Sequence, residues 1–310
     1  MEEESNDMFE PLRLKLTRSS HSLRSHLSQA EEALPRLEKC WQLGKSYKLF
    51  ENYYVLNIWY HRMSGKYSEL QQFLEKTEKE TKPNPIRFNQ KRFQLAKVKN
   101  LFDLGLFAET IKYAELYVRD FDRFSDGWYE VMRYYFLAAN FARKFELSRE
   151  LLQRAFINQH FDHLPDKEKI LWHLFKAYFQ VVVDRSRSLE AINLPLSPES
   201  MDEGFVLSHL ILQYLFYTSP RNESKINEVQ LHIEDIKLRY FKNQFGTRTK
   251  TFIKLISKTT ELSLEKEDEL QSKTKYLSRK LMEASDRADI YSDLEIMPYE
   301  LLWERLSEFA

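Results

Sequence analysis

Apolar residues recur at intervals of three and four along nearly all of this 310-residue chain. That spacing places side chains on one face of an α-helix, and no segment sustains the alternation of a half-buried β-strand. The six glycines of the chain are also too few for the hairpin turns of a sheet protein. The sequence therefore predicts an all-α protein, and its 43% hydrophobic residues can supply a substantial core.

Proline and short polar segments separate the predicted helices. The predicted helices lie near 11–33, 36–63, 67–80, 86–104, 107–120, 127–143, 146–159, 166–183, 202–218, 223–243, 247–260, 264–285 and 298–309. The short connections favour antiparallel helical hairpins in one domain over residues 1–310. Residues 1–8 are acidic and polar and are predicted to be disordered, whereas 298–309 is predicted to form a C-terminal capping helix.

Three hairpin turns share one pattern, in which a helix ends, the chain turns within about two residues, and an aromatic residue starts the next helix. The segments are SGKYSELQQFL (64–74), LGLFAETIKYA (104–114) and ARKFELSRELL (142–152). Their matched aromatic residues are Tyr67, Phe107 and Phe145, and their matched turn positions are Gly65, Gly105 and Arg143. The repetition predicts a superhelix, or α-solenoid, of stacked hairpins.

These turns resemble the tetratricopeptide (TPR) repeat, whose usual period is about 34 residues. The third copy fits best, since the TPR spacing buries apolar residues of its first helix and small residues of its second. Those residues are Met132, Tyr135, Phe136, Ala139, Ser148 and Ala155. In the second copy the same register places Gln94 and Lys97 at core positions, which conflicts with that register.

The segment FDLGLFAETIKYAELYV and the closing PYELLWERLSEF resemble an uncharacterised group of TPR-like proteins common in Bacteroidota. The likeness extends over most of the chain and lies in the pattern of long aromatic hairpins. It implies a single helical solenoid that ends in a short aromatic helix. The group has no established catalytic or ligand-binding residues, so the resemblance implies none here.

The sequence contains no motif that carries catalytic chemistry. Phosphate-binding GxGxxG and GxxxxGK[ST], the nucleophile elbow GxSxG and the zinc motif HExxH are all missing. The single cysteine, Cys40, lies in a predicted helix and is interpreted as a small buried hydrophobe. We therefore expect no enzymatic activity and no cofactor. The acidic N-terminus and the lack of a long apolar run favour a cytoplasmic protein that does not bind membranes.

The segment NQHFDHLPDKEK (158–169) gathers imidazole and carboxylate groups in one predicted loop. His160, His163 and Asp166 are side chains of the kinds that hold zinc. Loops between helices are ordinarily polar, however, and Asp166 stands where it can cap the following helix. The interpretation as a polar loop without a metal is favoured, and the metal site remains an open alternative.

The segment KLRYFKNQFGTRTKTFIKLISK (237–258) carries seven Lys or Arg and no acid. A nucleic-acid patch here would use Lys242, Arg248, Lys250, Lys254 and Lys258, with Tyr240, Phe241 and Phe245 stacking on bases. Across the whole chain, however, 47 basic residues balance 47 acidic ones. A helical hairpin must also expose a soluble outer face. We therefore interpret the stretch as a solvated face and keep nucleic-acid binding as the alternative.

A solenoid of helical hairpins presents a concave face formed by the first helix of each pair, and such faces bind peptides or partner helices. The predicted partner-binding residues are Trp59, Arg92, Lys99, Glu130, Arg133 and Asn140. Other residues expected on this face are Asn52, Val55, Arg62, Leu95, Phe102, Asp103, Leu137 and Phe141. Arginine, asparagine and aromatic groups suit a peptide with acidic and apolar groups. The sequence thus predicts a non-enzymatic scaffold that binds another protein or peptide.

Overall fold

The computed structural model describes residues 1–16, 23–81, 89–194, 203–219, 222–240, 245–262, 267–284 and 295–308. These residues form fourteen α-helices and contain no strand, which confirms the predicted all-α class. The chain divides into two compact units, residues 1–106 and 107–310, where the sequence predicted one domain. Within the described ranges no helix is both long enough and apolar enough to cross a bilayer.

The described part of the first unit contains five α-helices. They are α1 (Glu2–Leu16), α2 (Leu23–Gly44), α3 (Tyr47–Met63), α4 (Tyr67–Thr81) and α5 (Gln90–Asp103). Helix α3 packs against α1 and α2 through Leu56 and Tyr60, and against α4 and α5 through Phe50 and Tyr54. It therefore contributes to both apolar clusters of the unit.

The N-terminal helices differ from the prediction. Helix α1 begins at Glu2 instead of following a disordered segment, and Ser5 is fully buried. Asn52 Nδ2 on α3 donates to Ser5 Oγ at 3.0 Å and to Asn6 Oδ1 at 2.9 Å. These hydrogen bonds, together with the burial of Phe9, fix an acidic segment whose composition alone suggested disorder.

The predicted break between helices near residue 35 is also misplaced. Pro35 lies inside α2, which continues to Gly44. The chain then turns at Lys45, whose φ is 50°, and Ser46 Oγ accepts from the backbone amide of Leu49 at 3.3 Å. Ser46 is thus the N-cap of α3.

The second unit contains nine helices in its described part. They are α6 (Phe107–Tyr117), α7 (Asp126–Phe141), α8 (Phe145–Ile157), α9 (Asp166–Val182), α10 (Glu203–Thr218), α11 (Glu223–Tyr240), α12 (Thr247–Leu262), α13 (Glu267–Glu283) and α14 (Tyr299–Ser307). Helices α7 and α9 meet through buried rings, with the centroids of Phe136 and Phe175 at 5.2 Å and those of Tyr129 and Trp172 at 5.8 Å. Aromatic packing therefore forms the core at this end of the unit.

The three repeated turns have the same backbone geometry. Gly65, Gly105 and Arg143 adopt φ values of 68°, 74° and 54°, in the left-handed region. In each turn this residue donates its amide to the carbonyl three residues earlier, and the next residue donates to the carbonyl five residues before it. This is the Schellman helix end. The predicted turn position is confirmed, and so is the start of the next helix at Tyr67, Phe107 and Phe145.

Burial also follows the predicted register. The six residues chosen in the third copy are all buried. In the second copy Gln94 and Lys97 are buried as well, although their polarity had argued against that register. Lys97 Nζ lies 3.5 Å from the Glu78 carboxylate and 5.7 Å from the centroid of the Phe93 ring. The lysine thus enters the core with a counter-charge and an aromatic face.

The C-terminal segment 295–308 packs among the helices of the second unit. Leu301, Leu302 and Leu306 are buried. Helix α14 contacts α10, α12 and α13, and Arg305 Nε donates to the Val182 carbonyl at the end of α9, at 3.0 Å. Helix α14 therefore buries one face against the unit while Glu304 and Ser307 stay exposed, and its role as a cap stays a prediction.

Arg248 on α12 holds this segment in place. Its guanidinium makes a bidentate pair with Glu295, at 2.6 and 2.9 Å, and a further hydrogen bond with Glu300 at 2.8 Å. Its Nη1 donates to the carbonyls of Leu281 and Ala284 at the end of α13. The Arg248 side chain is only 5% exposed, so these partners compensate a buried charge.

We expect Arg248→Ala to destabilise the second unit by about 3–5 kcal/mol, because it leaves the Glu295 carboxylate buried without its cation. Urea denaturation followed by circular dichroism measures the change. Lys254→Ala, which removes an exposed cation of the same helix, should change the free energy of unfolding by no more than about 0.5 kcal/mol. A loss below about 1 kcal/mol for Arg248→Ala would show that the network does not hold the segment.

Candidate functional site

The first unit contains a cavity of about 630 Å³ between α1, α3 and α5. Five basic side chains line it, against two acidic ones, Glu10 and Glu51. The basic side chains are Arg13, Lys48, Arg62, Arg92 and Lys99. This cavity, the basic groove, therefore presents an excess of positive charge to an incoming ligand.

The floor of the basic groove is apolar. It is formed by Phe9, Tyr54, Val55, Ile58, Leu95 and Ala96 from the same three helices. Phe9 and Tyr54 also belong to the two core clusters, so the core of the unit supports this floor. An apolar floor beneath charged walls suits a ligand that has both apolar and anionic groups.

The arginines of the basic groove are oriented by carboxylates. Arg62 Nη2 lies 3.1 Å from Asp103, whose side chain is 1% exposed, so this pair is part of the protein interior. Arg92 pairs with Glu51, and the Arg92 side chain is 49% exposed. A pair with that much solvent access contributes little to stability, and another carboxylate can replace Glu51 at modest cost.

The structure places the predicted groove residues of the first unit in two different surroundings. Arg92 and Lys99 line the basic groove, together with Val55, Arg62 and Leu95 from the same predicted face. Trp59 packs instead against the apolar cluster formed by α1, α2 and α3. Its side chain belongs to the packing of the unit rather than to the lining of the groove.

In the second unit the predicted face is largely covered. Glu130 is half-buried. Arg133 pairs with Glu168 of α9, and both side chains are less than 20% exposed, at 18% and 19%. Asn140 is fully buried and its Nδ2 lies 3.5 Å from the carbonyl oxygen of Ile296, so the C-terminal segment covers it. The prediction of Asn140 as a partner-binding residue is corrected by this contact.

A second cavity, of about 560 Å³, lies between α2, α3 and α4 and is named here the aromatic cavity. Its aromatic lining consists of Trp41, Tyr47, Phe50, Tyr53 and Phe73. The centroids of Trp41 and Phe50 are 5.0 Å apart with edge-to-face geometry, and those of Tyr53 and Phe73 are 5.6 Å apart with the same geometry. The cavity was not predicted, because the turn at Gly44–Ser46 that creates it was interpreted as helix interior.

The aromatic cavity also contains charged groups. Glu38 and Glu80 supply negative charge, and Lys45 and Lys76 supply positive charge. Burial, and then the negative charge of Glu38, raises the pKa of Tyr53 well above its ordinary value. The Tyr53 hydroxyl therefore stays protonated at physiological pH. Lys45 Nζ lies 5.1 Å from the centroid of the Trp41 ring.

The histidine-rich loop does not assemble a metal site in the described part of the chain, where no three His, Cys, Asp or Glu side chains converge. His160 Nε2 lies 3.4 Å from Asp126, and the ring centroids of His160 and His163 are 6.1 Å apart. Asp166 is the first residue of α9 and lies 3.6 Å from Lys169. The N-cap position is occupied by Pro165, so Asp166 does not cap the helix as the sequence suggested. Cys40 is buried, as predicted.

The described residues of the predicted nucleic-acid patch do not share one exposed surface. Arg248 is buried in its carboxylate network, and Phe245 is 4% exposed, so neither can contact a nucleic acid. Lys250 is half-buried, and Lys254 and Lys258 are exposed. Lys242 and Phe241, and the side chain of Tyr240, lie outside the described residues. The remaining lysines form the outer face of a helix that buries Phe252, Ile253, Leu255 and Ile256.

Comparison of the chain with protein-family models, with curated proteins and with solved structures finds no match. The TPR-like relationship therefore stays a prediction, supported by the three identical turns and by the burial pattern of the hairpins.

We expect Lys254→Glu combined with Lys258→Glu to leave binding of a fluorescein-labelled single-stranded oligonucleotide nearly unchanged, since these side chains cover the outside of a core helix. Fluorescence anisotropy at 50 and 200 mM salt is the measurement. Lys112→Glu combined with Lys144→Glu provides the same charge change on other exposed positions of the second unit. A fall of the salt slope by about two, specific to the first variant, would instead support phosphate contacts at α12.

Proposed function

We propose that this protein is a non-enzymatic, cytoplasmic helical-repeat scaffold with TPR-like hairpins, and that it binds another protein through the basic groove. The observation that carries the proposal is the composition of that groove. Three helices place five basic side chains above an apolar floor, at positions that include Arg92 and Lys99. The proposed ligand is a segment of a partner protein with acidic and apolar residues.

Charge and apolar contact have different roles in this proposal. The basic walls attract an acidic segment and set its register, because electrostatic complementarity mainly affects association rate and specificity. Affinity comes mainly from burying apolar side chains of the partner over Val55, Ile58 and Leu95. The ligand therefore needs both components.

All three arginines of the groove are paired, Arg13 with Glu10 at 2.7 Å, and the pairs of Arg62 and Arg92 differ in role. Because Asp103 is buried, Arg62 is fixed as a structural cation at the edge of the groove. Arg92 is solvent-accessible and pairs with the partly exposed Glu51, so a carboxylate of the partner can take the place of Glu51. Lys48 and Lys99 add two ammonium groups to the lining of the groove.

We expect Arg92→Glu combined with Lys99→Glu to reduce recovery of the partner protein at least tenfold, because the variant reverses two charges on the groove wall. The measurement is quantitative affinity capture of the tagged protein from its own cells, with nuclease present, followed by mass spectrometry. Lys39→Glu combined with Lys79→Glu is the matched control, since both lysines are exposed on α2 and α4 outside the groove.

A direct probe accompanies the capture experiment. An acidic amphipathic peptide containing Glu and Leu should bind to the full-length protein in fluorescence anisotropy, and a Lys-for-Glu version should not. Equal capture by the groove variant and the control variant, with no discrimination between the two peptides, would contradict the proposal.

A further inference from the structure

We infer that the aromatic cavity binds an alkylammonium group, either as a small organic cation or as the side chain of a methylated lysine. This site is separate from the basic groove, since the two cavities share no lining residue. The inference therefore does not depend on the proposed scaffold function.

The aromatic lining provides the first argument. Rings from α2, α3 and α4 surround one cavity, and ring faces attract cations through their electrostatic quadrupole. Phe50 is buried, whereas Trp41, Tyr53 and Phe73 are only partly buried and Tyr47 is 40% exposed. The aromatic cavity thus has one buried wall and a solvent-accessible edge. This arrangement suits a bulky apolar cation such as a methylated ammonium.

The second argument is the carboxylates in the lining of the cavity. Glu38 lines the cavity beside the aromatic rings and is half-buried. Glu80 adds a second carboxylate at the exposed side of the cavity. Carboxylates beside aromatic rings favour a cation over a neutral ligand of the same shape.

The third argument is an ammonium group that already occupies such a position. Lys45 Nζ lies 5.1 Å from the centroid of the Trp41 ring. Lys45 follows Gly44 at the end of α2 with a φ of 50°, and its side chain is exposed, so it reaches the ring from the solvent-accessible edge. It stands in for the ammonium of a ligand and competes with that ligand for the face of Trp41.

The effect of removing Lys45 distinguishes a cation-binding site from an anion-binding site. Lys45 and Lys76 both line the cavity, and a nucleotide would use them to bind phosphate. Removing the Lys45 ammonium must weaken an anionic ligand but strengthen a cationic one. The sign of the effect of Lys45→Met therefore identifies the class of ligand.

The test uses the full-length protein labelled with 5-fluorotryptophan, in which Trp41 is one of five tryptophans and Trp41→Phe assigns its ¹⁹F resonance. Choline is titrated against 3,3-dimethylbutan-1-ol, which has the same shape without the charge. We expect choline, and not the alcohol, to shift the Trp41 resonance. Adenosine monophosphate is the anionic comparison.

Three variants complete the test. Glu38→Gln should weaken choline binding about two- to fivefold, and Lys45→Met should strengthen it by a similar factor, because each alters one charge beside the rings. Glu32→Gln, the same change at an exposed position of α2, should have no effect. Thermal unfolding of each variant establishes that the unit is folded.

The outcomes are distinct. Binding of choline without the alcohol, strengthened by Lys45→Met, supports the inference. Equal binding of choline and the alcohol, no binding of either, or adenosine monophosphate binding that weakens with Lys45→Met would overturn it. Titration with N-acetyl-Nε-trimethyllysine methylamide distinguishes the sources, since tighter binding than choline indicates a methylated lysine and weaker binding indicates a small free cation.

Discussion

The packing of helix α3 on two sides is the constraint on which both candidate sites depend. One side of α3 contributes Val55 and Arg62 to the basic groove, and another contributes Tyr47 and Tyr53 to the aromatic cavity. The two cavities meet at a stack of Phe50 on Tyr54, whose ring centroids are 5.4 Å apart. Because both rings are buried, a rotation of α3 that improved one cavity would distort the other.

In the second unit, the buried guanidinium of Arg248 is the interaction that constrains how the helices pack. Removing a guanidinium from water is unfavourable, and the cost is offset only if every donor finds a partner. Arg248 satisfies this condition with two carboxylates of the C-terminal segment and two carbonyls at the end of α13. Glu295 is 47 positions away in the sequence, so the arginine specifies which segment packs against α12.

Local patterns in the sequence predicted the local structure well. The turn residues, the aromatic residue that starts each second helix and the small residues at close contacts all depend on neighbours within a few positions. The N-terminal helix and the position of α14 depend on distant partners, such as Asn52 for Ser5 and Arg248 for Glu295. A single sequence does not show such pairings. The acidic composition of residues 1–8 therefore suggested disorder, and the positive charge of Arg248 suggested an exposed basic patch.

The same distinction explains which predicted site residues are accessible. The repeat register placed Arg92 and Asn140 on equivalent faces of their helices. Arg92 lines a cavity because the opposite wall is α1, which leaves space above Val55 and Leu95. Asn140 is buried because the C-terminal segment reaches it with the Ile296 carbonyl. Whether a predicted face is accessible therefore depends on what else packs against it, and among the described residues Arg92 stays accessible in the first unit while Asn140 is covered in the second.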